Sequence, residues 1–187
     1  MSVRIFLDID GVLSNFTPHI KNFTKKPMLD LSKEEYLSII HSYSFWDSMS
    51  LHWYLNMPLT DEAETIMEIL NPKSKNWKLY FLTAPFKDKK TLRIKWCNKR
   101  WPSIETICHS KKEIFCNSRK DLLIDDFTFN VKNWLDAGGN AILFKRPWNC
   151  EDKDKIDNFF PSEFYRKISK FMEKNLCEKD YTDFKKN

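Results

Sequence analysis

Glycine is scarce in this chain, with three residues among 187. The five cysteines are odd in number and scattered, and no two form a C-x-x-C pair, which argues against disulfides and against a zinc site. No apolar run reaches the roughly 20 residues that a membrane-spanning helix needs. The first residues also lack the apolar stretch of a signal peptide. We therefore expect a cytoplasmic protein without a membrane partner.

Charge is moderate and positive, with a formal net charge of +5 at pH 7. A positive charge suits an anionic ligand, such as a small phosphate compound, without identifying it. The lysines are spread along the whole chain, so composition does not indicate a dedicated nucleic-acid surface, although it leaves nucleic-acid binding open. No pattern in the sequence indicates an oligomeric state.

Five short apolar runs predict the strands of a parallel sheet. The runs cover residues 3–7, 78–82, 104–108, 121–124 and 141–144. Helical spacing of apolar residues appears at about 63–70, 87–100 and 128–137, and a further helix is predicted at about 161–177. Strands that alternate with helices predict an α/β fold, in which an open parallel sheet is joined by right-handed crossovers.

The segment between the first and second predicted strands is too long for one crossover. It is rich in aromatic residues, and most of its pattern is helical. We therefore interpret residues 14–76 as a small, mostly helical cap that is inserted after the first strand. Residues 1–13 and 77–187 then form a Rossmann-like core.

Acidic residues stand at the carboxyl ends of two predicted strands. Asp8 and Asp10 follow the first strand, where Gly11 relieves the backbone at the turn. Asp125 and Asp126 follow the fourth strand. Ligands of open α/β sheets bind beyond these ends, so the four carboxylates are predicted to converge. Such a cluster repels itself unless a cation neutralises it, and an all-oxygen ligand set favours Mg²⁺ over zinc.

The spacing of the first two acids also suits phosphoryl transfer. One carboxylate can attack phosphorus, while the other protonates the leaving oxygen and later activates water. Thr83 ends the second strand and adds a hydroxyl to the same edge. Acidic turns after strands are also common without any function. The combination of three polar strand ends in this order is what favours catalysis.

Three segments together resemble the motifs of the haloacid dehalogenase (HAD) superfamily. They are Asp8-Ile9-Asp10-Gly11-Val12-Leu13, Leu82-Thr83 and Asp121-Leu122-Leu123-Ile124-Asp125-Asp126. Within that superfamily the chain resembles the 5'(3')-deoxyribonucleotidases, over about residues 3 to 149. The resemblance implies a HAD core with a cap, and a Mg²⁺-dependent hydrolase that removes phosphate from small-molecule (deoxy)nucleoside monophosphates.

The resemblance also implies roles for the acidic residues. Asp8 would be the nucleophile and a metal ligand. Asp10 would be the general acid and base, with its backbone carbonyl on the metal. Asp125 and Asp126 would complete the metal site, the latter directly or through water.

Phosphate and substrate contacts follow from the same resemblance. Thr83 and the backbone amide of Ala84 would bind the phosphoryl oxygens, although the family has serine at the second position. A lysine would anchor the phosphate, and we choose Lys112, with Lys111 as the alternative. The substrate-binding residues that the resemblance implies are Phe16, Phe45, Trp46 and Lys87, the aromatic ones by stacking on the base. The aromatic residues also suit a cap core, and the lysines a solvated surface.

Two alternatives to a mononucleotide phosphatase stay open at this point. The same core would serve a phosphatase that acts on the 3'-phosphate of a polynucleotide end. A non-catalytic nucleotide-binding protein with the same fold is the other, although none of the four acids is missing.

Overall fold

A computed structural model describes residues 2–26, 30–70, 77–150, 155–156, 159–176 and 181 of the chain. Its strands are β1 Val3–Leu7, β2 Trp77–Thr83, β3 Glu105–Cys108, β4 Asp121–Asp125 and β5 Asn140–Leu143. They form one parallel sheet in the order β3-β2-β1-β4-β5. The predicted α/β fold is confirmed, and strand boundaries differ from the predicted ones by one residue in four of the five strands.

The register of the two central strands brings their acidic ends to the same height. Leu7 of β1 stands opposite Ile124 of β4, so Asp8 is level with Asp125. The backbone amide of Asp8 donates to the carbonyl of Ile124 at 2.9 Å, which extends the ladder to the first acid. The sheet therefore places the carboxylates of Asp8 and Asp125 next to each other at the carboxyl ends of β1 and β4.

Five helices lie between β1 and β2 in the part of this segment that the structure describes. They are α1 Thr17–Thr24, α2 Lys33–His41, α3 Tyr43–Asp47, α4 Leu51–Leu55 and α5 Ala63–Leu70. The later helices are α6 Lys90–Arg100, α7 Thr128–Asp136 and α8 Phe164–Asn175, with short 3₁₀ turns at Lys87–Lys89 and Lys112–Phe115. The helix predicted at 161–177 thus begins three residues later, and position 177 lies outside the described residues. None of the described helices combines the length and apolar character of a membrane span.

Apolar side chains cover both faces of the sheet, as a sheet flanked by helices requires. On one face Phe6 packs with Trp134 of α7, with ring centroids 5.0 Å apart. On the other face Ile5 and Leu7 belong to a larger core that extends into the five helices after β1. Alternate residues of β1 therefore serve two separate cores.

The segment that leaves β1 runs beside the segment that returns from α4 to α5. The backbone amide of Asn15 donates to Pro58 at 2.8 Å, and that of Thr60 donates to Leu13 at 2.9 Å. The Thr60 hydroxyl donates to the carbonyl of Val12 at 2.7 Å. The loop that carries Asp10 is thereby tied to the inserted helices.

Candidate active site

Three carboxylates gather at the carboxyl edge of the sheet. Asp8, Asp125 and Asp126 each place one oxygen within 4.8 Å of the others, and all three residues are buried. Asp10, the fourth predicted acid, is outside this group as far as its side chain is concerned. The structure therefore brings together three of the four acids and directs the fourth elsewhere.

Lys112 lies between two of these acids. Its ammonium is 2.7 Å from Oδ1 of Asp8 and donates to Oδ2 of Asp125, also at 2.7 Å. The residue is 1% exposed, and it begins the 3₁₀ turn after β3. Lys111, the alternative, is exposed, and its described bonds are backbone contacts with His109. Of the two adjacent lysines, only Lys112 reaches the acidic group in the described structure.

Asp125 and Asp126 have different surroundings. Asp125 accepts bonds from the amide of Phe127 at 2.8 Å and from the side chain of Asn130 at 3.0 Å, besides that from Lys112. Asp126 accepts from the indole of Trp148 at 2.7 Å. These donors fix the orientation of both carboxylates.

Burial and mutual repulsion disfavour the ionised forms of Asp8 and Asp126. Burial raises the pKa of Asp8 from its ordinary 3.8 to about 7; the Lys112 ammonium opposes this rise, and the Asp125 charge adds to it. Burial, together with the charges of Asp8 and Asp125, raises the pKa of Asp126 well above its ordinary value. The pKa of Lys112 is raised because the two carboxylates outweigh its burial.

This donor set fits a hard divalent cation. The three residues offer only oxygen ligands, as Mg²⁺ prefers, and their mutual repulsion is what a cation would relieve. No histidine or cysteine joins the group among the described residues, which disfavours zinc.

Asp10 is held by residues from two other elements. A buried arginine of α6, Arg93, forms an ion pair with its Oδ1, and the Ser14 hydroxyl donates to the same oxygen at 2.9 Å. The Asp10 side chain is 20% exposed and borders a cavity. The acid predicted to transfer protons therefore faces the space that a substrate can reach.

Thr83 and Ala84 occupy the end of β2 on the same cavity. The Thr83 hydroxyl is buried and has no hydrogen-bond partner among the described residues. An orphaned buried donor costs free energy unless a ligand or water satisfies it. Its position suits a bond to a ligand oxygen.

The cavity above the acids has a volume of about 350 Å³. Its apolar wall is largely aromatic and comes both from residues between β1 and β2 and from residues after β2. The lining includes Phe16, Trp46, Tyr54, Phe86, Phe127, Phe129 and Trp148. The cavity thus joins a polar end, where carboxylates can hold a cation, to a largely aromatic body that suits an apolar or flat part of a ligand.

The predicted substrate-binding residues are placed differently from one another. Phe16 and Trp46 line the cavity, with ring centroids 5.4 Å apart. Phe45 is fully buried and is not among the lining residues; it packs edge-on against Trp46 at 5.2 Å and belongs to the larger of the two cores. The side chain of Lys87, which begins a 3₁₀ turn, lies outside the described part of the structure.

Sequence reasoning missed two residues that shape the site. Arg93 lies in a lysine-rich helix, where nothing distinguishes it from surface cations. Trp148 follows the last strand, and its ring stacks on Tyr36 at 4.7 Å while its indole reaches Asp126. For Trp148, the only signal in the sequence was that a tryptophan stands soon after the last strand.

Comparisons with known proteins give structural similarity only, because no family model and no curated protein matches the chain. The HAD-hydrolase YfnB from Bacillus subtilis, bound to magnesium, is 13% identical, with a TM-score of 0.49 over 75% of this chain and 87% of that one. A HAD family enzyme from Bacteroides thetaiotaomicron, in complex with magnesium and inorganic phosphate, is 15% identical, with a TM-score of 0.47 over 78% and 95%. The HAD domain of a Legionella pneumophila effector protein is 12% identical, with a TM-score of 0.41 over 84% and 95%. Similarity of this size carries no conclusion about activity, which rests on the geometry of the site.

Proposed function

We propose that this protein is a Mg²⁺-dependent phosphohydrolase of the HAD type that acts through an aspartyl-phosphate on Asp8. The observation that carries the proposal is the convergence of Asp8, Asp125 and Asp126 beside Lys112, where Asp8, Asp126 and Lys112 line a cavity. The order of the three motifs along the chain adds to it. A merely structural group would not place three buried carboxylates together, because their repulsion is costly.

Asp8, Asp125 and Asp126 would hold the cation, together with the backbone carbonyl of Asp10. When bound, Mg²⁺ supplies Lewis-acid stabilisation of the phosphoryl oxygens. The rest of the chemistry belongs to the chain. Lys112 carries a positive charge beside the nucleophile and would bind a phosphoryl oxygen, while the orphaned Thr83 hydroxyl would bind another.

Two acids would divide the covalent and proton-transfer work. A carboxylate oxygen of Asp8 attacks phosphorus, and the bond from phosphorus to the leaving oxygen breaks. Asp10 gives its proton to that leaving oxygen and then accepts a proton from the water that cleaves the aspartyl-phosphate. The exposure of Asp10 on the cavity, where a leaving group would stand, supports this division.

We propose a (deoxy)nucleoside monophosphate as the substrate. The aromatic wall above the acids supports this choice, since stacking on a base is worth roughly 1–3 kcal/mol and tolerates different bases. Phe16 and Trp46 are the stacking residues that lie on the wall, whereas the position of Phe45 supports a packing role. Residues 14–76 would act as a cap over a core of residues 1–13 and 77–187, in a cytoplasmic protein.

A phosphate-release panel tests the substrate. Purified protein is assayed on 5'- and 3'-nucleoside monophosphates and on a 3'-phosphorylated oligonucleotide, with Mg²⁺ and with a chelator. We expect Mg²⁺-dependent release from at least one mononucleotide and slower release from the oligonucleotide. Faster release from the oligonucleotide would favour the polynucleotide phosphatase, and binding without release would favour a non-catalytic protein.

A nucleophile substitution tests the mechanism. Asp8→Asn should abolish turnover while the folded state persists, and Asp136→Asn, at an exposed position in α7, is the matched control. Mass spectrometry of acid-quenched wild-type protein should find phosphate on the peptide that contains Asp8. Normal activity of Asp8→Asn would contradict the proposal.

A further inference from the structure

Arg93 is a buried cation whose main partner is in the site. It lies on α6, its side chain is 0% exposed, and its Nη2 pairs with Oδ1 of Asp10. Nε and Nη1 have no hydrogen-bond partner among the described residues. A buried charge that is not paired is strongly destabilising, so the Asp10 carboxylate is what makes this arginine tolerable.

Aromatic rings fix the guanidinium in place. Its carbon lies 4.7 Å from the ring centroid of Tyr54 and 5.4 Å from that of Trp96. Trp96 is itself anchored, since its indole donates to the carbonyl of Met57 at 2.9 Å. Tyr54 and Met57 belong to the helical insertion and Trp96 to α6, so Arg93 stands where the insertion meets the core. A cation held between two rings has little freedom to move.

The hydrogen bonds to the Asp10 side chain involve one of its two carboxylate oxygens. Among the described residues, Arg93 and Ser14 both approach Oδ1, which leaves Oδ2 for the cavity. The side chain of Asp10 lies outside the group formed by Asp8, Asp125 and Asp126, although its charge still adds to the repulsion that raises the pKa of Asp8. An acid with one oxygen anchored and the other presented to a ligand is oriented for proton transfer.

We propose that Arg93 is a positioning residue, which holds Asp10 so that Oδ2 meets the leaving oxygen of the substrate. The inference rests on the proposed function. In the step concerned, the Asp8–phosphorus bond forms and the bond from phosphorus to the sugar oxygen breaks. Asp10, which must bind a proton on Oδ2 before this step while Oδ1 stays bonded to Arg93, passes that proton to the leaving oxygen.

Leaving-group dependence separates positioning from a merely structural ion pair. A sugar alkoxide is a strong base and needs a proton to leave, whereas nitrophenolate is a weak base and leaves without one. A structural defect would slow both reactions alike. A misplaced proton donor would slow only the reaction that releases the sugar alkoxide.

The experiment compares the first chemical step for two substrates in single-turnover reactions with Mg²⁺. The substrates are p-nitrophenyl phosphate and the best nucleoside monophosphate of the phosphate-release panel. For Arg93→Met we expect nucleoside release to fall by about 100-fold and nitrophenol release by less than about threefold, because general acid catalysis is worth roughly 100-fold or more. Arg93→Lys keeps a positive charge and should restore part of the loss.

Arg100→Met is the matched control. Arg100 lies on the same helix, stacks on Trp96 at 4.1 Å and donates to the carbonyl of Met57 at 3.1 Å, but it does not contact Asp10. This variant should lose stability without changing the ratio of the two rates. Thermal melts of every variant identify those that are folded.

Two further readouts make the outcome decisive. In an Asp10→Asn background, Arg93→Met should cause no further loss of nucleoside release. Without metal, the changes in melting temperature caused by the two substitutions should not add up in the double variant. The positioning role would be overturned if folded Arg93→Lys and Arg93→Met kept the wild-type ratio of the two rates. It would also be overturned if the losses in the double variant were additive, and in both cases the proposed function would stand. A wild-type protein that releases no phosphate from any substrate would overturn the proposed function and this inference together.

Discussion

Removing the charge of Asp8 should stabilise the protein in the absence of a divalent cation. Asp8→Asn keeps the size of the side chain and deletes one of three buried carboxylates. The charge it removes is penalised by burial and by Asp125, which outweigh the attraction of Lys112. The native state therefore carries an electrostatic cost at this position that the variant lacks.

The size and pH dependence of the effect follow from the pKa. A rise in the pKa of Asp8 from 3.8 to about 7 corresponds to about 4 kcal/mol, at about 1.4 kcal/mol per unit. The folded state keeps a proton that the unfolded chain has released, so wild-type stability falls as pH rises from about 4 to about 7. At pH 8 the variant should be more stable by up to about 4 kcal/mol, or roughly 10 °C in melting temperature. Below pH 4 the difference should disappear.

Thermal and urea unfolding between pH 4 and pH 8, with a chelator and then with Mg²⁺, measure this effect. Mg²⁺ at about 100 times its dissociation constant should stabilise the wild type by about 2.7 kcal/mol. The variant should lose most of that gain. The difference in stability between the two proteins should therefore become smaller or change sign when Mg²⁺ is added. Asp136→Asn, at its exposed position, should follow the wild type throughout.

A metal-free Asp8→Asn protein that is less stable than the wild type at pH 8 would contradict this expectation. Equal Mg²⁺-induced stabilisation of both proteins would refute the assignment of Asp8 to the cation site. Either result would mean that the acids near Asp8 are not held together as the structure places them.

Three other substitutions have expected outcomes. Lys112→Met should lower kcat at least about 100-fold, because it removes a buried cation from beside the nucleophile, whereas Lys111→Met should change it by less than about threefold in the same phosphate-release assay. Gly11→Ala should destabilise the protein more than Gly138→Ala in urea unfolding: both positions have positive φ, but only at Gly11 would the new methyl group collide with an acid of the site. Trp46→Ala should raise the KM for a nucleoside monophosphate about tenfold and leave that for ribose 5-phosphate unchanged, since stacking on the base is worth roughly 1–3 kcal/mol.

The apolar pattern of the sequence is enough to predict the sheet and the edge at which the acids meet. Apolar runs define where β1 and β4 end, and the topology of parallel sheets brings those ends together. Asp8, Asp125 and Asp126 could therefore be predicted to converge, because each lies at or directly after the end of a strand. Local hydrophobic pattern and chain direction were sufficient for this result.

The side chains of Lys112 and Arg93 reach acids of the site through packing that the local sequence does not reveal. Lys111 and Lys112 are neighbours of the same type, and the backbone of one short 3₁₀ turn places only the second among the carboxylates. Arg93 lies 83 residues from Asp10 in the chain, and its pairing depends on how α6 packs against the inserted helices. Such contacts are fixed by side-chain packing across distant segments, which no local pattern in the sequence encodes.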